Sequence, residues 1–207
     1  MANGFDSYTP LTQATLDAAK KAGYTFAIRY YATNTSLDKV MTRDEAQRIS
    51  DNGLYVVSVF QDFNNDYKYF NTSYGTADGK AAYNYAKNTI KQPSGTPIYF
   101  AVDYDAEDSE VKGGILDYFT AIKQVFTNLG GEYKIGVYGS GAVCQYIKDT
   151  KNLAQFSWLS MSTGWRGYQS YLDGKTWNLR QIKSITINGV SCDSDESSSL
   201  GGGGWKL

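Results

Sequence analysis

"PIYFAVDYDAED", residues 97–108, runs an apolar segment straight into a cluster of acids. Read as a strand it alternates. Tyr99, Ala101, Asp103 and Asp105 fall on one face, and Ile98, Phe100, Val102 and Tyr104 on the other. Residues i and i+2 of a strand lie ~6.6 Å apart along it, so two carboxylates are expected side by side where a buried strand ends. A buried strand of this kind needs cover on both faces, and its neighbours supply it.

Upstream, "GFDSY" (4–8), "YTFAIRYYA" (24–32) and "LYVVSVFQDF" (54–63) read as strands. Between them, "TQATLDAAKKAG" (12–23) reads as a helix closed by Gly23. "TRDEAQRISDNG" (42–53) reads as a second, with Thr42 and Glu45 spaced as a capping box and Gly53 at its end. "GKAAYNYAKNTIKQ" (79–92) and "VKGGILDYFTAIKQVFTNLG" (111–130) flank the acidic strand as helices. "YKIGVYGS" (133–140) and "GAVCQYIKD" (141–149) make one more strand and helix. Beyond them no helix is expected. "QFSWLSMST" (155–163), "TWNLRQI" (176–182) and "GVSCDSDES" (189–197) read as three further strands. Five strand–helix units imply parallel strands with right-handed crossovers. Three added strands bring the total to eight, enough to close a barrel. The expected fold is therefore a single α/β domain, a TIM-like (β/α)5(β)3 barrel over residues 1–197. Residues 198–207, Gly/Ser-rich, read as a loose tail or linker. An open doubly wound sheet is the alternative, but no Gly-x-Gly-x-x-Gly follows a strand to signal a dinucleotide site.

Composition narrows the chemistry. The chain has 207 residues, net charge −1 and no histidine. Ser-His-Asp and Cys-His catalysis and His-ligated zinc are thereby excluded. Near-neutral charge without basic runs argues against a nucleic-acid partner. No apolar stretch approaches the ~18 residues of a membrane span. The start, "MANGFDSYTP", lacks the basic and apolar regions of a secretory signal. Cys144 and Cys192 have no partner motif and read as two buried thiols, with a disulfide left open. Carboxylates and aromatics, including 18 Tyr and 4 Trp, are what remains for function.

In a parallel barrel, active sites lie at the C-terminal ends of the strands. The residues expected there are Asp6, Arg29, Tyr31, Gln61, Asp62, Asp103, Asp105, Tyr138, Trp158 and Gln181, with Asp193 and Asp195 on the last strand. Closure makes the first and last strands neighbours, so Asp6 and Asp193 should meet across the mouth from Asp103 and Asp105. Carboxylates crowded in one cleft raise at least one pKa and leave a proton donor beside ionised partners. That is the requirement for cutting a glycosidic bond, and Tyr and Trp rings suit sugar faces. Two other readings stand beside it. The barrel could bind carbohydrate without cutting it, or Asp103, Asp105 and Asp193 could hold magnesium or calcium for a metal-dependent hydrolase.

"GFDSY", "FAIRYYA", "PIYFAVDYD", "KIGVYGS", a tryptophan strand and "LRQI…GVSCDSDES" together resemble the glycoside-hydrolase-like domain of unknown function 1906 across residues 3–197. That family is itself similar to the glycoside hydrolase family 25 lysozymes (N-acetylmuramidases). The resemblance implies a (β/α)5(β)3 barrel, no cofactor, and hydrolysis of peptidoglycan between N-acetylmuramic acid and N-acetylglucosamine. It implies Asp105 as general acid, Asp103 as the carboxylate stabilising the intermediate, and Asp6 and Asp193 as tuning acids. Arg29, Tyr31, Gln61, Tyr138, Trp158 and Gln181 would contact substrate. It also implies a monomer working outside the cell or on its wall, held in the cytoplasm before release if no signal directs export. This sequence departs from the lysozymes at one place, with Asp105 where they carry Glu.

Overall fold

A computed structural model describes residues 1–207. The chain closes an eight-stranded barrel in the order β1 to β8. Its elements run β1 (Ala2–Asp6), α1 (Gln13–Lys21), β2 (Phe26–Tyr31), α2 (Arg43–Asp51), β3 (Tyr55–Phe60) and α3 (Thr72–Asn84). Then come β4 (Pro97–Ala101), the one-turn α4 (Asp108–Glu110), α5 (Leu116–Asn128), β5 (Lys134–Gly139) and α6 (Gly141–Cys144). The chain ends with β6 (Phe156–Leu159), α7 (Tyr168–Gly174), β7 (Leu179–Ile187) and β8 (Val190–Ser197). Strands β1 to β7 pair in parallel, and β8 runs antiparallel to both β7 and β1.

The alternation read in residues 97–108 holds through Asp103. Tyr99 and Ala101 pack inside the barrel with Phe26, Ile28, Val59 and Trp158. Ile98, Phe100 and Val102 face outward into the larger core shared with the helices. Because Ala101 is small, the barrel is filled below it and open above it.

Two of the departures from the expected helices trace to glycine. The third starts at Thr72, seven residues earlier than its sequence signals, with Asn71 capping the Tyr74 amide. Gly75 and Gly79 weaken the helical pattern but let α3 lie against α5. A Cβ at Gly75 would stand 2.3 Å from the Tyr118 carbonyl oxygen. Gly75→Ala is therefore expected to destabilise the fold by about 1–3 kcal/mol, the usual cost of overpacking, read as a lower denaturation midpoint at unchanged m. The unexpected α7 is only seven residues long, starting after Gly167 and ending on Gly174, so it shows little periodicity.

The tail is packed, not loose. Trp205 is buried, and its backbone exchanges hydrogen bonds of 2.9 and 2.8 Å with Val56. Its indole donates to Ser58 Oγ at 3.2 Å. The glycines before it cross the N-terminal end of the barrel so closely that a Cβ at Gly203, where φ is +72°, would meet Pro97 at 2.3 Å. The low-complexity composition thus serves close backbone approach, with Trp205 as the anchor. Cys144 and Cys192 are both buried, free thiols.

Candidate functional site

The C-terminal end of the barrel opens as a cavity of about 240 Å³. Asp6, Gln61, Asp103, Tyr138, Trp158, Gln181 and Asp193 all line it, as the strand ends required. Asp6 and Asp193 stand directly opposite each other across β1 and β8. Gln181 bridges them, donating from Nε2 to Asp6 Oδ2 at 2.9 Å and to Asp193 Oδ2 at 3.2 Å. A bulge between Gln181 and Lys183 shifts the β7–β8 register, as bulges beside active sites often do. Asp193 is held further by the Ser184 hydroxyl at 2.6 Å. On the far wall, Gln61 donates to Asp103 Oδ2 at 3.0 Å.

Asp105, Arg29, Tyr31 and Asp62, also selected from the sequence, lie elsewhere, and the Asp62 carboxylate accepts the Thr33 amide at 2.9 Å. Asp105 is outside the cavity. The strand alternation stops after Asp103, where the Ala106 amide turns back to the Tyr104 carbonyl at 3.0 Å. That turn carries Asp105 to the Arg166 loop, whose backbone amide it accepts at 2.8 Å and whose guanidinium it faces at 3.4 Å. Arg29 and Tyr31 occupy the outward face of β2. Arg29 is fully buried beneath α2, with Nε 2.7 Å from Glu45. Tyr31 donates to Gln92 at 2.8 Å behind the sheet. Glu45 consequently does not turn back to close a capping box, although Thr42 does cap α2. Asp103, Asp105 and Asp193 form no ligand cluster for a metal ion.

The structure adds Tyr30, Ser160, Met161 and Trp165 to the lining, and places Asp195, expected at the mouth, buried behind it. Tyr30 shares the inward parity of Phe26 and Ile28, and its hydroxyl donates to Asp6 Oδ1 at 3.1 Å. Asp195 accepts the Trp158 indole N–H at 2.8 Å, and its other oxygen has no conventional donor. Burial, then repulsion from Asp6, holds the Asp195 carboxyl well above its usual range. Burial lifts Asp6 to about 7, with Asp193 adding to the rise and the Gln181 and Tyr30 bonds opposing it. Burial also raises Asp103, against the Gln61 bond.

These carboxyls give the fold a pH dependence of definite sign. The Asp6 carboxyl rises from its ordinary value of 3.8 to about 7 in the fold. Between them the folded protein holds a proton that the unfolded chain has lost. The stability this contributes is complete below the lower value and is gone once pH passes the upper. Thermal midpoints are expected to rise as pH is lowered from about 7.5 to about 5, with Asp6→Asn flattening part of the slope. A wild-type midpoint that falls over that interval would contradict the burial of these groups.

A closed barrel with a carboxyl-lined, aromatic-walled cavity at its C-terminal end is the frame of a glycoside hydrolase-like domain. Residues 17–195 match the family described as Rv2525c-like, glycoside hydrolase-like domain, and the chain belongs to that family. It is 36% identical over 206 residues to the uncharacterized protein FadG of Bacillus subtilis (strain 168), covering 96% of this chain and 35% of FadG. The chain spans about a third or less of the length of the curated relatives it matches. Among solved structures, the Tat-secreted protein Rv2525c of Mycobacterium tuberculosis superposes with a TM-score of 0.77 at 20% identity, covering 99% of this chain and 98% of that one. A bacterial lysozyme from Streptomyces coelicolor superposes at 0.59 with 14% identity, covering 96% and 92%. No helix of the chain is long and apolar enough to cross a membrane.

Proposed function

We propose that this domain is a peptidoglycan-directed glycoside hydrolase that works outside the cell or on its wall. One observation carries the reading. Asp103 opens into the cavity with a burial-raised carboxyl, opposite the Gln181-bridged pair Asp6 and Asp193. Asp103 is then the group that protonates the leaving glycosidic oxygen. Asp6 and Asp193 face the sugar ring, where positive charge develops as the bond breaks. Water supplies the hydroxyl that completes hydrolysis. Tyr138 and Trp158, with rings 4.5 Å apart, form an aromatic floor for the sugar. Gln61 orients Asp103, and Gln181 keeps the two opposing acids apart in role. The fold shared with a lysozyme and the family membership support this reading.

A second reading is favoured by one specific feature. The acid at position 105 is tied to Arg166 instead of facing the cavity, so the site has one fewer carboxyl than the lysozyme resemblance implies. On that reading the barrel binds wall glycan without cutting it. Mass spectrometry of material released from purified peptidoglycan separates the two. New reducing-end muramic acid supports hydrolysis. Sedimentation with the wall and no release supports binding alone.

A further inference from the structure

A second recess of about 210 Å³ is built by the loop leaving β3 and the start of α3. Asp62, Phe63, Asn64, Tyr69, Tyr74 and Asp78 line it. Asp62 follows directly on Gln61, which lines the acid cavity and holds Asp103, so one loop contributes consecutive residues to the two recesses. Its rings form a continuous surface. Phe63 and Tyr69 stack with centroids 5.2 Å apart and planes 17° from parallel, and Tyr74 meets Tyr69 edge-on at 5.9 Å. Phe63 is 65% exposed and Tyr74 42%. Single exposed aromatics are ordinary, whereas a contiguous set at the rim of a cavity marks a binding surface.

The closed end of the recess is polar. Asp78 is only 6% exposed. Its Oδ2 accepts the Tyr118 hydroxyl at 2.7 Å, and no Lys or Arg pairs with it. Burial and the nearby Asp62 lift its carboxyl to about 7. An anionic ligand would be repelled here, and a purely apolar one would leave the carboxyl unsatisfied. A sugar meets both demands, with an apolar ring face for the aromatics and hydroxyl or amide hydrogens for the carboxyl.

We propose that this recess is a second glycan subsite. A pyranose ring lies against Phe63 and Tyr69 and donates a hydrogen bond to Asp78, while the same saccharide chain continues into the acid cavity. The proposal rests on reading the acid cavity as a glycan site, and the test keeps the two apart. Wild type and Phe63→Ala are titrated with the N-acetylglucosamine–N-acetylmuramic acid disaccharide and its tetrasaccharide, followed by backbone amide and aromatic-ring NMR. The tetrasaccharide is expected to shift signals of Phe63, Tyr69 and Tyr74 together with those of Gln61 and Met161. Phe63→Ala, a surface change that leaves the core intact, is expected to weaken tetrasaccharide binding about 3- to 10-fold and to leave disaccharide binding unchanged. Shifts confined to the acid cavity, or equal tetrasaccharide affinity in the variant, overturn the subsite and leave the glycan reading standing. Shifts confined to the aromatic recess support the subsite and overturn the reading of the acid cavity. Shifts at neither overturn both.

Discussion

Asp103→Asn is expected to cut muropeptide release from purified peptidoglycan by about 100-fold or more, the lower end of what a positioned acid contributes. Asparagine keeps the shape and the acceptor that Gln61 holds at 3.0 Å, so the cavity survives and only the proton is lost. Asp105→Asn is expected to leave the rate nearly unchanged. Its carboxylate supports the Arg166 loop from outside the cavity, at 2.8 Å from the backbone amide. This inverts the order of importance that the lysozyme resemblance implies. If Asp105→Asn abolishes release while Asp103→Asn leaves much of it, the Arg166 pair must open on substrate binding and return position 105 to the chemistry. Circular dichroism of both variants guards against loss of fold.

The placement of Asp105 shows where the sequence could be read and where it could not. Period-two alternation put Tyr99, Ala101 and Asp103 on one face, because strand geometry dictates it. It could not say that the alternation stops after Asp103. That depends on Asn64, whose carbonyl accepts the Asp103 amide at 2.8 Å from a distant loop. Strand β2 gives the same lesson in another form. Its alternation was legible, but two faces were available and the charged one looked like the mouth. The buried partner Glu45, which reverses that choice, lies 16 residues away and doubles as half of a capping signal. Closure was more accessible. The pairing of Asp6 with Asp193 follows from strand count alone, and the structure has it in direct register. Asn188–Gly189, both at positive φ, makes the β7–β8 turn, a hairpin signal the sequence carries openly. Reading it would have extended β7 to Ile187.

Glu45→Ala is expected to be the most damaging change away from the cavity. Arg29 and Glu45 side chains are 0% and 3% exposed, with 2.7 Å between them. Glu45 also accepts the Leu11 amide at 2.8 Å, and Arg29 donates to the Ser7 carbonyl. Removing the carboxylate strands a guanidinium in the core. Breaking a buried pair in this way costs about 3–5 kcal/mol, a fall of about 6–20 °C in thermal midpoint for a domain of this size. Replacing both partners by apolar groups removes the stranded charge, so Arg29→Met with Glu45→Leu is expected to be more stable than Glu45→Ala alone. It will not recover fully, because the Leu11 amide and Ser7 carbonyl lose their partners. A loss below about 1 kcal/mol in Glu45→Ala would mean that Arg29 finds solvent by rearrangement. The double variant also decides what Arg29 is for. It lies behind β2, one residue from Tyr30, which holds Asp6 from the cavity side. If its role is to brace that strand, the folded double variant binds glycan as wild type does. Lost binding with an intact fold would return Arg29 to the site from which the structure removes it.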